Sequence, residues 1–310
     1  MDVATIQKRI FSGSLVGFLR IGLAIPVYLA LTPLILNVLG EERFGLWSFS
    51  TTIIGLINLA DFGLKNSLVY HVANQRHDEQ AIIGHFSVTV IAYLFICTFI
   101  SLFVVLFNKE IILTLLHLPP YLYAEAQFLL IVTVLAFSIR MIAIPYQAVL
   151  EGYQELSLSQ LVFTLWILTY SVAVAVALAL QPDIYGLGIA SLISNFVILG
   201  GFFGLARRRF QFLRLDYAHL RSELFGSMLK YGAGIQLATV AIALREPLYK
   251  LVLVRAYDLS TVAAFEIAFK LCTQLASIIT TPLLGVLGVS ALLSQRHDEL
   301  ARILRPLFIY

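Results

Sequence analysis

The fold class is decided by one uncharged stretch of 22 residues, Phe86-Ser-Val-Thr-Val-Ile-Ala-Tyr-Leu-Phe-Ile-Cys-Thr-Phe-Ile-Ser-Leu-Phe-Val-Val-Leu-Phe107. A helix needs about 20 apolar residues to cross the hydrocarbon core of a bilayer. In the whole chain 60% of the residues are hydrophobic and 13% are charged, whereas a soluble domain carries roughly 25% charged residues. The stretch therefore predicts a transmembrane helix in a chain whose surface largely faces lipid.

Eight apolar segments of this kind occur along the 310 residues. They cover residues 11–39, 44–64, 86–107, 128–150, 161–180, 185–205, 231–254 and 262–292. No segment has the two-residue alternation of a membrane β-strand, and the first is too long for a cleavable signal peptide. The sequence predicts an all-α integral membrane protein, a polytopic helical bundle of about eight transmembrane helices.

The orientation of the helices follows from the basic residues, because cytoplasmic loops of membrane proteins are enriched in lysine and arginine. With a cytoplasmic N-terminus, 13 basic residues fall on the cytoplasmic side and three on the opposite side. The cytoplasmic set is Lys8, Arg9, Lys65, Arg76, Arg207, Arg208, Arg209, Arg214, Arg221, Lys230, Arg296, Arg302 and Arg305. The opposite set is Arg43, Lys109 and Arg255. This asymmetry predicts a multi-pass protein of the cytoplasmic membrane with its N-terminus inside.

The longest cytoplasmic connection, residues 206–230, is basic and carries apolar residues at steps of three and four, Leu213, Tyr217, Leu220, Leu224 and Met228. This stripe predicts an amphipathic helix at the membrane interface; the simpler interpretation is an anchor that links two halves of the chain. We expect a first lobe of helices 1–6 in residues 1–205, and in residues 231–310 the start of a second lobe, with helices 7 and 8 and the beginning of a ninth.

Several classes of function have no signature in the sequence. The net charge of +3 is small and gives no basic surface for nucleic acid. Cys97 and Cys272 fall in apolar runs, where thiols behave as small hydrophobic residues. The sequence has no metal-ligand spacing, nucleotide-binding glycine loop or Ser/His/Asp arrangement. We therefore expect no cofactor, no metal and no catalytic residue.

Five short motifs are typical of one transporter family. They are Asn37-Val-Leu-Gly-Glu-Glu-Arg-Phe-Gly-Leu-Trp47, Leu59-Ala-Asp-Phe-Gly-Leu64, Leu68-Val-Tyr-His-Val-Ala73, Leu229-Lys-Tyr-Gly232 and Val262-Ala-Ala-Phe-Glu-Ile-Ala268. With them the chain resembles the polysaccharide transporter family, which includes the O-antigen and capsule flippases, within the multidrug/oligosaccharidyl-lipid/polysaccharide exporter superfamily. The resemblance spans the whole chain.

The resemblance implies a two-lobed transporter of the bacterial inner membrane that acts in the biosynthesis of surface polysaccharides such as lipopolysaccharide. Its implied substrate is an oligosaccharide linked to undecaprenyl pyrophosphate, which a flippase moves by alternating access. Its implied partners are this lipid-linked oligosaccharide, membrane lipids and the polysaccharide polymerase machinery.

Two of the motifs are similar to each other, which suggests an internal repeat. Residues 44–50 and 262–268, which are 218 positions apart, each place an aromatic residue two positions after a small one at the start of a helix. Transporters are often built from repeats, although short motifs in an apolar chain also match by chance. With a repeat, helices 7 and 8 begin a second lobe that is incomplete without about four more helices, and the chain is a fragment.

Ionisable residues within the spans cost roughly 2.5–3.5 kcal/mol each on insertion scales. Three pairs place an acid four residues before a base, so that both lie on one helix face. The pairs are Asp61 and Lys65, Glu246 and Lys250, and Glu266 and Lys270. We expect each pair to neutralise itself within its own helix.

Three arginines are left without such an acid, Arg20, Arg140 and Arg245. A guanidinium stays charged and can bind phosphate with two hydrogen bonds. Because the resemblance implies a pyrophosphate substrate, we expect these arginines to bind its phosphates. The alternatives are snorkelling to the interface for Arg20 and an ion pair with Glu266 for Arg245.

Three amides in the spans, Asn58, Gln236 and Gln274, are weaker candidates for contacts with sugars. Two other functions are open. A cation-coupled multidrug exporter of the same superfamily would require an acid-rich cavity. Once the three acid–base pairs are set aside, however, the charged residues left in the spans are arginines. A membrane-embedded glycan polymerase or ligase would require a large outer loop with catalytic residues, whereas the predicted outer loops are short.

Cysteine labelling tests the orientation. In a background without Cys97 and Cys272, Asn108→Cys and Asp183→Cys should react with an impermeant thiol reagent added outside the cell. Gln75→Cys and Ser222→Cys should stay unlabelled, because the loop charges place them in the cytoplasm. Labelling of the second pair instead of the first would reverse the topology.

Overall fold

The computed structural model describes residues 3–113, 118–216, 222–273 and 275–276. Over these residues the chain forms helices joined by turns and irregular segments, without strands, which confirms the predicted all-α fold. The helices are α1 (Val3–Ile57), α2 (Leu64–Asn74), α3 (Glu79–Ile111), α4 (Tyr123–Gly152), α5 (Leu156–Leu180), α6 (Ile184–Arg209), α7 (Ser222–Ala243), α8 (Arg245–Ala256) and α9 (259–273). Short 3-10 turns cover Asn58–Asp61 and Pro120–Leu122.

Gly40 divides α1 into two limbs, residues 3–39 and 41–57, which contain the first two predicted spans. Its φ of 78° lies in the region that glycine adopts without a steric penalty. A continuous helix of 55 residues would be about 80 Å long, more than twice the hydrocarbon thickness of about 30 Å. The break therefore allows two limbs to cross a bilayer where one straight helix could not remain within it.

Five helices in the described part of the chain are long and apolar enough to cross a membrane, Leu15–Thr52, Glu79–Ile111, Pro120–Gly152, Leu156–Leu180 and Ile184–Arg209. The first contains the break at Gly40, so the five correspond to the first six predicted spans. The prediction of a polytopic helical membrane protein is thereby confirmed. The eighth predicted span begins as α9, and its part beyond residue 276 lies outside the described residues, as does the predicted start of a ninth helix.

The seventh predicted span, residues 231–254, is interrupted in the structure. Helix α7 ends at Ala243, Leu244 forms a turn, and α8 begins at Arg245. Pro247 explains this interruption, because proline has no N–H to donate to the carbonyl of Ala243 and its ring crowds that carbonyl. Two helices, of 22 and 12 residues, replace the single continuous helix that hydropathy predicts.

The linker also differs from its prediction. Residues 213–216 are irregular, and 222–230 form the start of α7 rather than a separate interfacial helix. Leu213 and Met228 are 1% and 0% exposed and pack into the core. Arg207 Nη1 donates a hydrogen bond to the Leu213 carbonyl at 2.9 Å, which folds the chain back after α6. The described part of the apolar stripe thus faces protein, while Tyr217 and Leu220 lie outside the described residues.

Helix α4 lies at the centre of the first six spans and packs against α2, α3, α6 and α1. Small residues allow this close packing. A Cβ added at Gly152 would lie 2.6 Å from Val72 Cγ1 of α2, and one added at Gly188 would lie 2.7 Å from Phe128 Cε1. Both distances are shorter than real contacts, so a side chain at either glycine would displace its neighbour where α4 meets α2 and α6.

Helices α8 and α9 are joined by a buried charge network centred on Lys250. Its side chain is 0% exposed, and Nζ lies 2.7 Å from Glu246 Oε1 and in contact with Glu266 Oε2. Glu266 Oε1 also lies 2.8 Å from Lys270 Nζ. The structure thus shows the two expected pairs within helices, and it adds an ion pair between Lys250 and Glu266 that links them.

At the predicted cytoplasmic end, His71 of α2 stacks on His85 of α3, with 4.1 Å between ring centroids. Among the described residues, His71 Nε2 is buried and has no hydrogen-bond partner. Burial, followed by the neighbouring His85, lowers the pKa of His71 from 6.5 to about 4. The packing therefore favours neutral His71.

Replacing Lys250 should be strongly destabilising. Lys250→Met leaves Glu266 buried with one cation instead of two, and removing one partner of a buried ion pair costs roughly 3–5 kcal/mol. We expect a lower unfolding temperature in detergent, with Lys230→Met on the exposed surface of α7 as the control. Equal unfolding temperatures for both variants would contradict a structural role for the network.

Lowering the pH should destabilise the folded protein, because His71 becomes protonated. Because the folded-state pKa of His71 is depressed, its contribution is fully present above pH 6.5 and is lost as the pH falls towards about 4. Unfolding in detergent should therefore become easier across this window, and His71→Gln should flatten the slope relative to the exposed control His77→Gln. If the pH dependence of unfolding in His71→Gln equals that of the parent, groups other than His71 cause it.

Candidate functional site

A polar cavity of about 360 Å³ lies among the first six spans. Both limbs of α1, together with α4, α5 and α6, contribute to its walls, and Lys270 reaches it from α9. Five aromatic side chains line it, Tyr28, Trp47, Phe137, Trp166 and Tyr170. Within α5 the rings of Trp166 and Tyr170 are stacked with their centroids 6.1 Å apart, so four-residue spacing on one helix builds one wall.

Arg140 of α4 is a cation of this cavity. Its guanidinium lies 5.6 Å from the centroid of the Trp166 ring, within the range of a cation–π interaction. Among the described residues it forms no ion pair with an acid. A charge within an apolar bundle is costly unless water, a partner or a ligand compensates it, so this cavity is suited to an anion.

Lys270 is the second cation, and sequence reasoning assigns it only to a neutral pair. Its Nζ lies 4.6 Å from the centroid of the Trp47 ring, while its acid partner Glu266 also contacts Lys250. Lys270 is therefore only partly neutralised. The four-residue spacing within α9 identifies Glu266 as the acid partner of Lys270. It could not show that Lys270 reaches the cavity, because the cavity forms where α9 meets α1.

The predicted anion-binding residue Arg20 is separate from the cavity. Its guanidinium lies 5.6 Å from the Phe163 ring, and Phe163 precedes Trp166 by about one turn of α5. Among the described residues, the Arg20 Nε atom is buried without a hydrogen-bond partner. Arg20 and Arg140 thus contact successive aromatic rings on one face of α5, but the cavity is lined by Arg140 and not by Arg20.

The other predicted site residues lie elsewhere or outside the description. Gln236 is 9% exposed in α7 and does not line this cavity. The side chains of Arg245 and Asn58, and residue Gln274 as a whole, lie outside what the structure describes. Their predicted contacts with phosphates and sugars, and the alternative ion pair of Arg245, stay predictions.

The expected pair of Asp61 and Lys65 is replaced by contacts to other helices. Lys65 Nζ lies 3.1 Å from Glu151 Oε2 of α4, and Asp61 accepts a hydrogen bond from the Tyr93 hydroxyl of α3. The physical reason is a break in the helix, since Phe62 and Gly63 have φ values of 50° and 73°. Asp61 still accepts a bond from the Lys65 backbone N–H at 3.3 Å.

Two polar groups in the cavity wall point to a ligand and were missed in the sequence. Asn195 Nδ2 donates to the Ser191 carbonyl at 2.8 Å, but among the described residues Asn195 Oδ1 and Trp166 Nε1 are buried without partners. Buried polar atoms normally have hydrogen-bond partners. The sequence signal for these groups was an asparagine within a predicted span. The direction in which its side chain points depends on the packing of α6.

An apolar groove of about 300 Å³ adjoins the cavity, between the first limb of α1 and α9. Its walls include Ile25, Leu29, Leu36, Ile267, Leu271 and Leu275. Tyr28 and Lys270 line both the groove and the cavity, so a polar compartment and an apolar one meet at these two side chains.

Solved structures of transporters share this fold. One is the inward-facing conformation of a multidrug resistance MATE family transporter of the MOP superfamily, with a TM-score of 0.67, 16% identity, and coverage of 89% of this chain and 68% of that one. A MATE in complex with MaD3S has a TM-score of 0.70 and 17% identity, over 90% and 63% of the two chains. The chain therefore spans about two thirds of the length of these transporters.

A further match is a MOP superfamily transporter from Pyrococcus furiosus, for which a reverse polarity of the binding pocket suggests a different function. It has a TM-score of 0.61 and 14% identity, and the match covers 96% of this chain and 74% of that one. At these identities the three matches show the fold alone.

The family is shown by sequence. None of the curated protein sequences matches the chain significantly, but the family model described as "Polysaccharide biosynthesis protein" matches residues 8–287. This match covers the first six spans and α9, the helix that carries Lys270. The chain belongs to the polysaccharide biosynthesis protein family and has the fold of the MOP superfamily transporters.

Proposed function

We propose that the protein is a flippase that moves an oligosaccharide linked to a polyprenyl pyrophosphate across the bacterial cytoplasmic membrane. The observation that carries this proposal is the pair of cations, Arg140 and Lys270, in an aromatic polar cavity beside an apolar groove. The three parts match the phosphates, the sugars and the lipid chain of such a substrate.

The phosphates are placed first, since they carry the charge. Arg140 has a planar fork of donors that suits two phosphate oxygens, and Lys270 faces the same cavity from another helix. An anion between them would neutralise the charge of Arg140. It would also bind the ammonium of Lys270, which Glu266 contacts as well. Arg20, nearer the predicted cytoplasmic end of the first limb, is proposed as an earlier contact for the phosphates, and Arg245 as a further one.

The sugars would occupy the aromatic part of the cavity. Trp47 and Trp166 offer flat rings to the apolar faces of a sugar ring, and Asn195 Oδ1 can accept a hydrogen bond from a hydroxyl. The Trp166 Nε1 atom can donate to a sugar oxygen. These contacts favour a glycan over a purely apolar cargo.

The lipid chain would lie in the groove between α1 and α9, where six aliphatic side chains provide an apolar wall. Because the groove meets the cavity at Tyr28 and Lys270, a phosphate held there would have its lipid on one side and its sugars on the other. Alternating access would then carry the head group across while the lipid remained among apolar surfaces.

The alternative of a cation-coupled multidrug exporter has the support of the MATE fold. The charge of the cavity argues against it, since its ionisable lining groups are Arg140, Lys270 and tyrosines, and Glu266 is held by two lysines. An organic cation would meet like charge at Arg140. The proposed partner role of a polysaccharide polymerase follows from the family alone.

Conservative substitutions test the phosphate contacts. Arg140→Lys and Arg245→Lys keep the charge but lose the paired donors, so at matched expression we expect glycan export to fall by on the order of tenfold. Lys270→Arg should retain export and Lys270→Gln should lose it. The matched control is Arg214→Lys in the exposed cytoplasmic connection, which should export like the parent.

The measurement is the export of a defined lipid-linked glycan, in cells and in liposomes that contain the complete protein. Near-parental export by both Arg140→Lys and Arg245→Lys would mean that these arginines have structural roles. Liposomes that transport a cationic dye in place of the glycan would favour the exporter alternative.

A further inference from the structure

Three motif glycines, Gly45, Gly63 and Gly232, make close backbone contacts where α1–α6 meet α7–α9. The first contact, nearer the predicted outer face, joins Gly45 in the second limb of α1 to Leu259 at the start of α9. A Cβ added at Gly45 would lie 2.3 Å from the Leu259 carbonyl oxygen and 2.9 Å from its carbon. The backbones of two separate helices therefore touch, and only glycine permits this approach.

The second contact, nearer the predicted cytoplasmic face, joins Gly63 to Gly232 of α7. A Cβ on Gly63 would lie 2.4 Å from the Gly232 carbonyl oxygen, and one on Gly232 would lie 2.7 Å from the Phe62 carbonyl oxygen. Gly63 also has a φ of 73°, which glycine adopts freely. The rings of Tyr70 and Tyr231 stack beside this contact with centroids 4.2 Å apart.

The cavity lies between these contacts. The second limb of α1 begins near the outer contact and leads, through the turn Asn58–Asp61, to the inner contact at Gly63. Between them, Trp47, Ser50 and Thr51 of the same limb line the cavity. One helix thus connects both contacts and the candidate site, and both contacts are closed in this structure.

We propose that Gly45, Gly63 and Gly232 are the gate residues of transport, at which backbones of the two groups of helices separate and close again at one face at a time. Glycines inside one bundle, such as Gly152 and Gly188, hold contacts that need to form only once. Gate glycines lie instead between the groups that alternating access would move. A side chain there would oppose closure of its own face and thereby favour opening to that face. Such gating applies to any cargo and does not depend on the proposed glycan.

Accessibility of the cavity from each face tests the proposal. In the complete protein without Cys97 and Cys272, Ser191→Cys places one thiol in the cavity wall. With Gly45→Ala we expect this thiol to react faster with an impermeant reagent added outside. With Gly63→Ala or Gly232→Ala we expect faster reaction from the cytoplasmic side, each change being on the order of tenfold.

The matched controls are Gly234→Ala, two residues from the inner gate on α7, and Gly22→Ala in the first limb of α1. An added Cβ meets no atom within 4 Å at either position, so both should label like the parent. Labelling of the gate variants at the rates of these controls, or a shift towards the same face for Gly45→Ala and Gly232→Ala, would overturn the proposal and make the contacts static packing.

A second measurement keeps all glycines and therefore does not depend on whether the glycine variants fold. With all glycines intact, Tyr70→Cys and Tyr231→Cys should be joined by a short thiol cross-linker across the inner contact. Cross-linking should suppress cytoplasmic labelling of Ser191→Cys, and a cleavable linker should restore it on reduction. Unchanged cytoplasmic labelling after cross-linking would overturn the proposal. Because neither measurement uses a substrate, loss of the flippase proposal would leave both results interpretable.

Discussion

An arginine in an apolar bundle is the constraint on which the rest of the site depends. Among the described residues Arg140 has no acid partner, and a guanidinium cannot lose its charge to ease burial. The Trp166 ring compensates part of the cost. The remainder requires water or an anion, which is why a polar cavity lies where continuous hydrophobic packing would otherwise be expected.

The cavity is completed only where the two groups of helices meet. Lys270 reaches the cavity from α9. Its acid partner, Glu266, also contacts the buried Lys250 of α8, so the Lys270 ammonium is only partly neutralised. The ammonium can then extend over Trp47 of α1. Close backbone contacts at Gly45 and Gly63 hold the groups at this distance. Electrostatics and packing thus act together, and separating the groups would remove one cation from the site.

The fold is shared with multidrug transporters at TM-scores of 0.67 and 0.70, yet a fold does not decide which cargo is carried. The cargo is decided by the groups that line the cavity. In this chain they combine two cations with aromatic and hydroxyl groups, which is the basis of the proposed anionic cargo.

By itself the sequence determined the membrane class and the positions of the first six spans, because the length of an apolar run is a local property. It also identified Arg140 as unpaired, since a partner on the same helix depends only on spacing. Only the tertiary structure decided that Lys65 pairs with Glu151, 86 residues away, and that Lys270 faces Trp47. It also turned Asn195 towards the cavity and kept Arg20 outside it. These outcomes depend on which helix faces belong together, and helix packing depends on side-chain shape and glycine contacts along whole interfaces, which periodicity within one helix does not contain.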